Sequence, residues 1–174
     1  MVVLEHFITV PRYNGKRCTY TQHLQLPDDS FQYEIIQGVL SMVPSPLWSH
    51  QSLVTKLSHL VSSFLDKNPL GLLVVAPMDV KLSETLKYQP DILYVSNERH
   101  HIITQSCIIA APDWVVEVLS ESTRLRDQED KFEDYQRYGV KEYWIMDPND
   151  LHKSRFFYLQ NGEFIAFTPH KRTV

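Results

Sequence analysis

Within "APDWVVEVLSEST", Ala111 to Thr123, one acid, Glu117, stands in a run of Trp, Val and Leu. Such a run reads as a strand buried on both faces. A carboxylate left unpaired there costs several kcal/mol or stays protonated, so Glu117 requires a partner. "KYQPDILYV" offers one, because Asp91 follows Pro90 at the mouth of a second apolar strand. Proline cannot donate to a sheet ladder and favours a strand start or edge. The spacing from Asp91 to Glu117 leaves room for a strand, a connection and a second strand, which can bring the acids side by side. Two adjacent carboxylates repel unless a proton or a cation intervenes. A hard divalent ion answers that need: Mg²⁺ takes one or two carboxylates plus waters and substrate phosphate. The backbone carbonyl of Val118, next to the acid, is a further candidate oxygen ligand. Downstream, "RDQEDKFEDYQRYG" places Asp127, Lys131 and Tyr135 four apart, on one helix face. Lys131 is thus a cation that a helix following the Glu117 strand could aim back at the acids.

These side chains need a frame. Alternation puts Trp114, Val116 and Val118 on one face of their strand and Val115, Glu117 and Leu119 on the other, so the Glu117 face is expected to open onto a polar cleft. "FQYEIIQGVLSMVP" reads as a hairpin hinged at Gln37-Gly38. "SPLWSHQSLVTKLSHLVSSFLDKN" reads as a helix, with Ser45 as N-cap, Pro46 as first helical residue and an apolar stripe of Leu53, Leu57, Leu60, Val61, Phe64 and Leu65. "LLVVAPMDVKLS" is expected to bend at Pro77 into two strands, followed by "DILYVS" and the Glu117 strand. A second helix spans about Arg124 to Tyr138, capped by Ser122 or Thr123 and stopped by Gly139, with Leu125 and Phe132 turned to the sheet. "EYWIMDP" is a further strand, and "KSRFFYLQNGEFIAF" a hairpin turning at Asn161-Gly162. Residues 1–30 read as a short strand and a wrapping arm, 31–148 as the core and 149–174 as a closing hairpin. The order implies one domain: a mixed α/β sheet with helices on its faces.

The chain has 174 residues, 43% hydrophobic and 22% charged, which fits one soluble globular domain of ordinary composition. A net charge of −4 excludes bulk polyanion binding of the histone kind, though a local basic strip would suffice for nucleic acid. Arg124, Arg126, Arg137 and Lys141 are candidates for such a strip, with scattered surface charge as the simpler account. Two cysteines, Cys18 and Cys107, make neither a metal-ligand spacing nor a disulfide framework, so a reducing, intracellular setting is expected. Glu5 and His6 interrupt what would be a signal peptide's apolar core, and no window approaches a membrane span. A cytoplasmic protein without membrane contact is expected.

"QPD" at a strand head, "VVEVLSEST", and Lys131 and Tyr135 in "DKFEDYQRYGVKEYWIMDP" together resemble the PD-(D/E)XK nuclease superfamily. More narrowly, with "YEIIQGVL", the "SPLWSHQ" helix start and "PMDVKLS", the chain resembles its bacterial putative-restriction-endonuclease branch, from about Tyr33 to Pro148. The resemblance implies a restriction-endonuclease-like core, a central mixed sheet flanked by helices, with a Mg²⁺-dependent phosphodiesterase centre that accepts Mn²⁺ as substitute. Carried over by position, Asp91 is the aspartate of the PD motif and Glu117 the first acid of the second motif. Leu119 stands where that motif's lysine belongs, and Lys131 on the following helix is the replacement. Gln37 and Val39 occupy places where the branch shows acids, and Glu121 replaces a common proline.

The resemblance thus implies catalytic roles for Asp91, Glu117 and Lys131, with metal ligation by Asp91, Glu117 and the Val118 carbonyl. Glu34 is an accessory candidate as a further ligand or supporting acid; His50, Asp79 and Tyr135 are others near the cleft. DNA is the expected substrate, with RNA left open, and cutting both strands of a duplex implies a homodimer, for which the N-terminal arm and the "FFYL" and "FIAF" hairpin are candidate surfaces. Plainer accounts exist for each feature. Glu117 could sit in a structural ion pair with an arginine, Lys131 could belong to solvated pairs on its helix, and Trp48, Trp114 and Trp144 are most simply core or interface aromatics. The competing function is a catalytically silent nuclease fold that binds nucleic acid or protein.

Overall fold

The computed structural model describes residues 10–120 and 128–169. In chain order its elements are α1 (Tyr20–His23), β1 (Tyr33–Ile36), β2 (Val39–Met42), α2 (Trp48–Leu65), β3 (Gly71–Val75), β4 (Asp79–Ser83) and β5 (Leu86–Tyr88). There follow β6 (Ile92–Ser96), β7 (Cys107–Ile108), β8 (Trp114–Val118), α3 (Asp130–Tyr138), β9 (Glu142–Met146), β10 (Arg155–Gln160) and β11 (Glu163–Phe167).

The expected single central sheet is two mixed sheets. One runs β2-β1-β5-β4-β7, the other β11-β10-β9-β8-β6-β3. The division falls at the prolines. Ala76, Pro77 and Met78 carry the chain from β3 in the larger sheet to β4 in the smaller, and Gln89, Pro90 and Asp91 carry it back from β5 to β6. A residue that cannot donate to a ladder suits a strand that is leaving its sheet. Both sheets are mixed because β4 pairs β7, and β8 pairs β9, in parallel, while the remaining pairs are antiparallel.

Both expected hairpins form. Gln37 and Gly38 have φ of 49° and 76°, Asn161 and Gly162 of 53° and 86°. Two consecutive left-handed residues match the right-handed twist of the flanking strands, the geometry of a two-residue type I′ turn.

Alternation fills the space between the sheets. Val80, Leu86, Tyr88 and Ile108 of the smaller sheet pack with Leu93, Val115, Tyr143 and Ile145 of the larger, and Tyr135 of α3 joins them. Phe132 packs edge-on to Phe157 at 4.9 Å and tilted to Phe164 at 5.2 Å, so these two side chains of the C-terminal hairpin serve this chain's own core. On the other face of the larger sheet, Val54, Leu53 and Leu57 of α2 cover Ile92, Val116 and Val118.

Three expectations are corrected. α2 begins at Trp48 rather than Pro46, with Leu47 as an N-cap that offers no side-chain acceptor, because Leu47 stays extended (φ −80°, ψ 164°). Its inward stripe is His50 and Val54, buried, with Leu53, Leu57 and Val61 partly buried, whereas Leu60 and Phe64 lie at the stripe's margin and are exposed. Residues 10–30 contain the one-turn helix α1, which was not expected, with Thr19 and Gln22 in a reciprocal capping box, and a single bridge from Arg17 to Val39, while the start of the expected strand and arm, residues 1–9, lies outside the described residues. For the second helix, α3 and its Gly139 stop (φ 86°) agree with expectation, while its proposed start, caps and Leu125, together with Glu5, His6, Glu121, Arg124, Arg126 and Asp127, lie outside the described residues. Among the described residues no helix is long and apolar enough to cross a membrane.

Candidate active site

Glu117 is 3% exposed although its strand is central, paired with β6 on one side and β9 on the other. Its neighbours on the same face, Val115 and Leu119, belong to the core between the sheets. Glu34 reaches that space from the smaller sheet: in β1, Tyr33 and Ile35 turn to the cluster around α1, and Glu34 alternates with them. The β6–β8 register pairs Ile92 with Val116, and the next pair outward along it is Asp91 with Glu117. Two acids on adjacent strands, as the sequence implied, are therefore neighbours.

Asp91 is held by three groups. Its Oδ2 accepts from the Val118 N–H at 2.7 Å, His50 Nε2 approaches the same oxygen at 3.2 Å, and its carbonyl accepts from the Ala76 N–H at 3.0 Å. The first fixes Asp91 to the strand that carries Glu117; the second ties it to the first turn of α2.

Lys131 enters from α3 and is 4% exposed. Its Nζ lies 2.8 Å from Glu117 Oε1, 3.1 Å from Glu34 Oε1 and 5.3 Å from the centre of the Tyr88 ring. A lysine in the first turn of a helix opposes the positive end of the helix dipole and is disfavoured there by local electrostatics. The two carboxylates and the ring face offset that cost, so the solvated surface pairing is overturned. Tyr135, four residues on and so on the same helix face, donates its hydroxyl to Glu117 Oε1 at 2.9 Å. Burial first, then the charge of Glu117, holds the Tyr135 proton well above its ordinary value of 10.0. Tyr135 thus remains a donor.

These groups meet at a cavity of about 290 Å³. Glu34, His50, Asp91, Glu117 and Lys131 line it, with the backbone of Val118 and with Ser120, and Ala76, Pro77 and Gln89 from the two crossings between sheets. Among the described residues, Glu117 meets an ammonium and a phenol, those of Lys131 and Tyr135.

Asp79 lies apart. It opens β4 and accepts from Lys87 Nζ at 3.0 Å and Gln89 Nε2 at 2.7 Å, without lining the cavity. Gln89 is the residue that sequence reasoning passed over. Its backbone N–H donates to Glu34 Oε1 at 3.1 Å and its side chain also reaches Gln32 Oε1 at 3.2 Å, so it links the smaller sheet's acids to the cavity. The available signal was its place in "QPD". Of the four candidates for a basic strip, Arg137 pairs with Asp134 at 2.8 Å and Lys141 with Asp113 at 2.6 Å, while Arg124 and Arg126 lie outside the described residues. His100 and His101 sit in a surface 3-10 turn, Asn97–Ile102.

The donor chemistry suits a hard cation. Three carboxylates face one lysine and one histidine, and the strand-borne candidates are all oxygens. Among the described residues no cluster of three or more His, Cys, Asp or Glu is gathered to hold a metal.

Comparison with known proteins bears on the fold and the family. A crystal structure described as a putative nuclease belonging to DUF820 from Anabaena variabilis superposes with a TM-score of 0.71 at 19% identity, covering 87% of this chain and 84% of that one. At that identity it supports the fold, the restriction-endonuclease-like one that the motifs implied. No curated protein matches the chain. The family model described as Uma2, putative restriction endonuclease, matches residues 20–169, a span that includes every candidate site residue, and the chain belongs to that family.

Proposed function

We propose that the protein is a Mg²⁺-dependent endonuclease that hydrolyses DNA phosphodiester bonds with an activated water. The observation that carries this reading is the convergence of Asp91, Glu117 and Lys131 on one cavity from two strands and a helix. A magnesium ion held by Asp91 and Glu117, with the Val118 carbonyl as a further ligand, would supply a water of lowered pKa and offset charge on the phosphoryl oxygens.

The chain's own residues supply the rest. Lys131 faces the acids with a cation that can orient the attacking water and stabilise charge developing on the phosphate. Tyr135 fixes one oxygen of Glu117 and so sets how the carboxylate faces the cavity. The Val118 N–H and His50 restrict Asp91 in the same way. Glu34 shares Lys131 with Glu117 and holds the ammonium between the two sheets. A competing reading, a silent fold that binds without cutting, draws on that same contact, because Lys131 already pairs with both glutamates.

Cleavage of supercoiled plasmid with and without Mg²⁺ separates the two readings. The wild type is expected to cut only with the metal, and Asp91→Ala and Lys131→Ala are expected to lose at least about 10²-fold in rate. Equal cutting by all three refutes the assignment.

A further inference from the structure

Of the three tryptophans, Trp114 and Trp144 behave as expected of core aromatics, packing edge-to-face at 4.8 Å on the larger sheet. Trp48 does not. It is 86% exposed, the most exposed large apolar side chain among the described residues, and no aromatic ring packs on it there. A scattered exposed leucine needs no explanation, but an indole held fully in water at the edge of a cavity does.

Its position is specific. Trp48 opens α2, two residues before His50, which touches Asp91, and three before Gln51, which lines the cavity. Residues three apart share a helix flank, so Trp48 stands one turn outward from Gln51, and helical side chains lean toward the N-terminal end. That end is the cavity's rim, formed by Val43, Pro44, Ser45 and Pro46. Val43, Pro44 and Pro46 make this part of the rim largely apolar. Among the described residues lining the cavity, Lys131 is the one lysine or arginine, and it is bound to two carboxylates.

We propose that Trp48 is a stacking platform for an unpaired nucleobase next to the phosphate in the cavity, so that the substrate is single-stranded or locally opened DNA. This rests on the nuclease reading above. In an intact duplex both faces of each internal base are covered by neighbours, and Trp48 would have nothing to stack on. In a single strand each base offers a free face, and aromatic stacking of this kind tolerates any sequence. The indole's place beside the helix end that positions His50 puts base contact and phosphate chemistry on adjoining nucleotides.

The test is equilibrium binding of the full-length protein in Mg²⁺ to two labelled probes, a phosphorothioate oligothymidylate that resists hydrolysis and a blunt duplex of the same length, followed by fluorescence anisotropy. Trp48→Ala is expected to weaken binding of the single strand about tenfold or more, Trp48→Tyr to remain within about threefold of wild type, and the duplex to bind all three proteins alike. Quenching of the protein's fluorescence by the oligothymidylate is expected to disappear in Trp48→Phe, since Trp114 and Trp144 are packed away from the rim. The inference is overturned if the wild type fails to bind the single strand, if Trp48→Ala binds it as wild type does, or if single strand and duplex weaken together. Plasmid cutting by the Trp48 variants and by Asp91→Ala, measured alongside, keeps the outcomes apart. Strand binding that depends on Trp48 without Asp91-dependent cutting leaves the platform and removes the nuclease; the converse removes only the platform.

Discussion

Strand β8 carries a buried acid at each end. Asp113, just before it, accepts from the Ser96 N–H at 2.8 Å, from Lys141 Nζ at 2.6 Å and from Arg99 at 3.3 Å. Glu117, near its other end, meets Lys131 and Tyr135. The two are almost equally inaccessible, 6% and 3% exposed. What separates them is where their partners come from. Lys141 reaches Asp113 from the surface and is itself largely exposed, so that end is a lock among β6, β8 and the turn into β9. The partner of Glu117 is buried too, is shared with Glu34, and borders a cavity with a second acid at its wall. Burial of a carboxylate is thus no mark of function; convergence of several on a space that a substrate can enter is.

That contrast can be broken most severely by truncating each acid in turn. Glu117→Ala is expected to lower plasmid cutting by about 10²- to 10³-fold, because it removes a proposed ligand and releases Lys131 on one side. Asp113→Ala is expected to leave cutting per folded molecule unchanged and to lower stability by about 2 kcal/mol, since the Ser96 N–H loses its acceptor while Lys141 simply returns to water. Chemical denaturation and initial rates measured on the same samples decide it. A large loss of activity in Asp113→Ala would erase the distinction.

Removing only the hydroxyl of Tyr135 sharpens the comparison. Tyr135→Phe keeps the ring against Tyr88 and Tyr143, at 5.5 Å and 5.0 Å, and deletes one donor to Glu117. A rate loss near tenfold with stability changed by about 1 kcal/mol is the expected result. No change in rate would show that Lys131 alone orients the glutamate.

The smallest effect is one of pH. Burial raises the Asp113 carboxyl, but Lys141, the Ser96 N–H and Arg99 outweigh it, and the folded value lies below the ordinary 3.8. With the folded value depressed, the contribution of Asp113 to stability is complete above pH 3.8 and fades as pH falls through the folded value. Asp113→Asn is therefore expected to flatten the acid limb of a stability–pH curve below pH 4, relative to wild type. A parallel acid limb in the variant would contradict the lock.

Much of this frame was legible in the residues. Alternation located β8 and β6, and Asp91 after Pro90 marked where β6 starts. Asn161-Gly162 and Gln37-Gly38 marked turns whose left-handed backbone favours such pairs. The spacing of Lys131 and Tyr135 placed both on one face of α3. Of the core or interface placement expected for Trp48, the core one does not hold, because apolar type speaks for burial only on average and the first turn of a helix can stand clear of any sheet. Leu60 and Phe64 were misplaced because a stripe of fixed width drifts off the sheet at the end of a long helix.

The sequence by itself determined which acids and which cation are present, that the acids lie on strands and the lysine on a helix, and where the strands break. All of these are local, set by side-chain period, by proline's missing donor and by turn geometry. Only the tertiary structure decided that the strands divide between two sheets, that Glu34 comes across from one to share Lys131 with Glu117 in the other, and that Asp79 stays outside. Those outcomes depend on which distant strands pair and in what register, and a register is selected by burying whole faces at once, which no short window of residues contains.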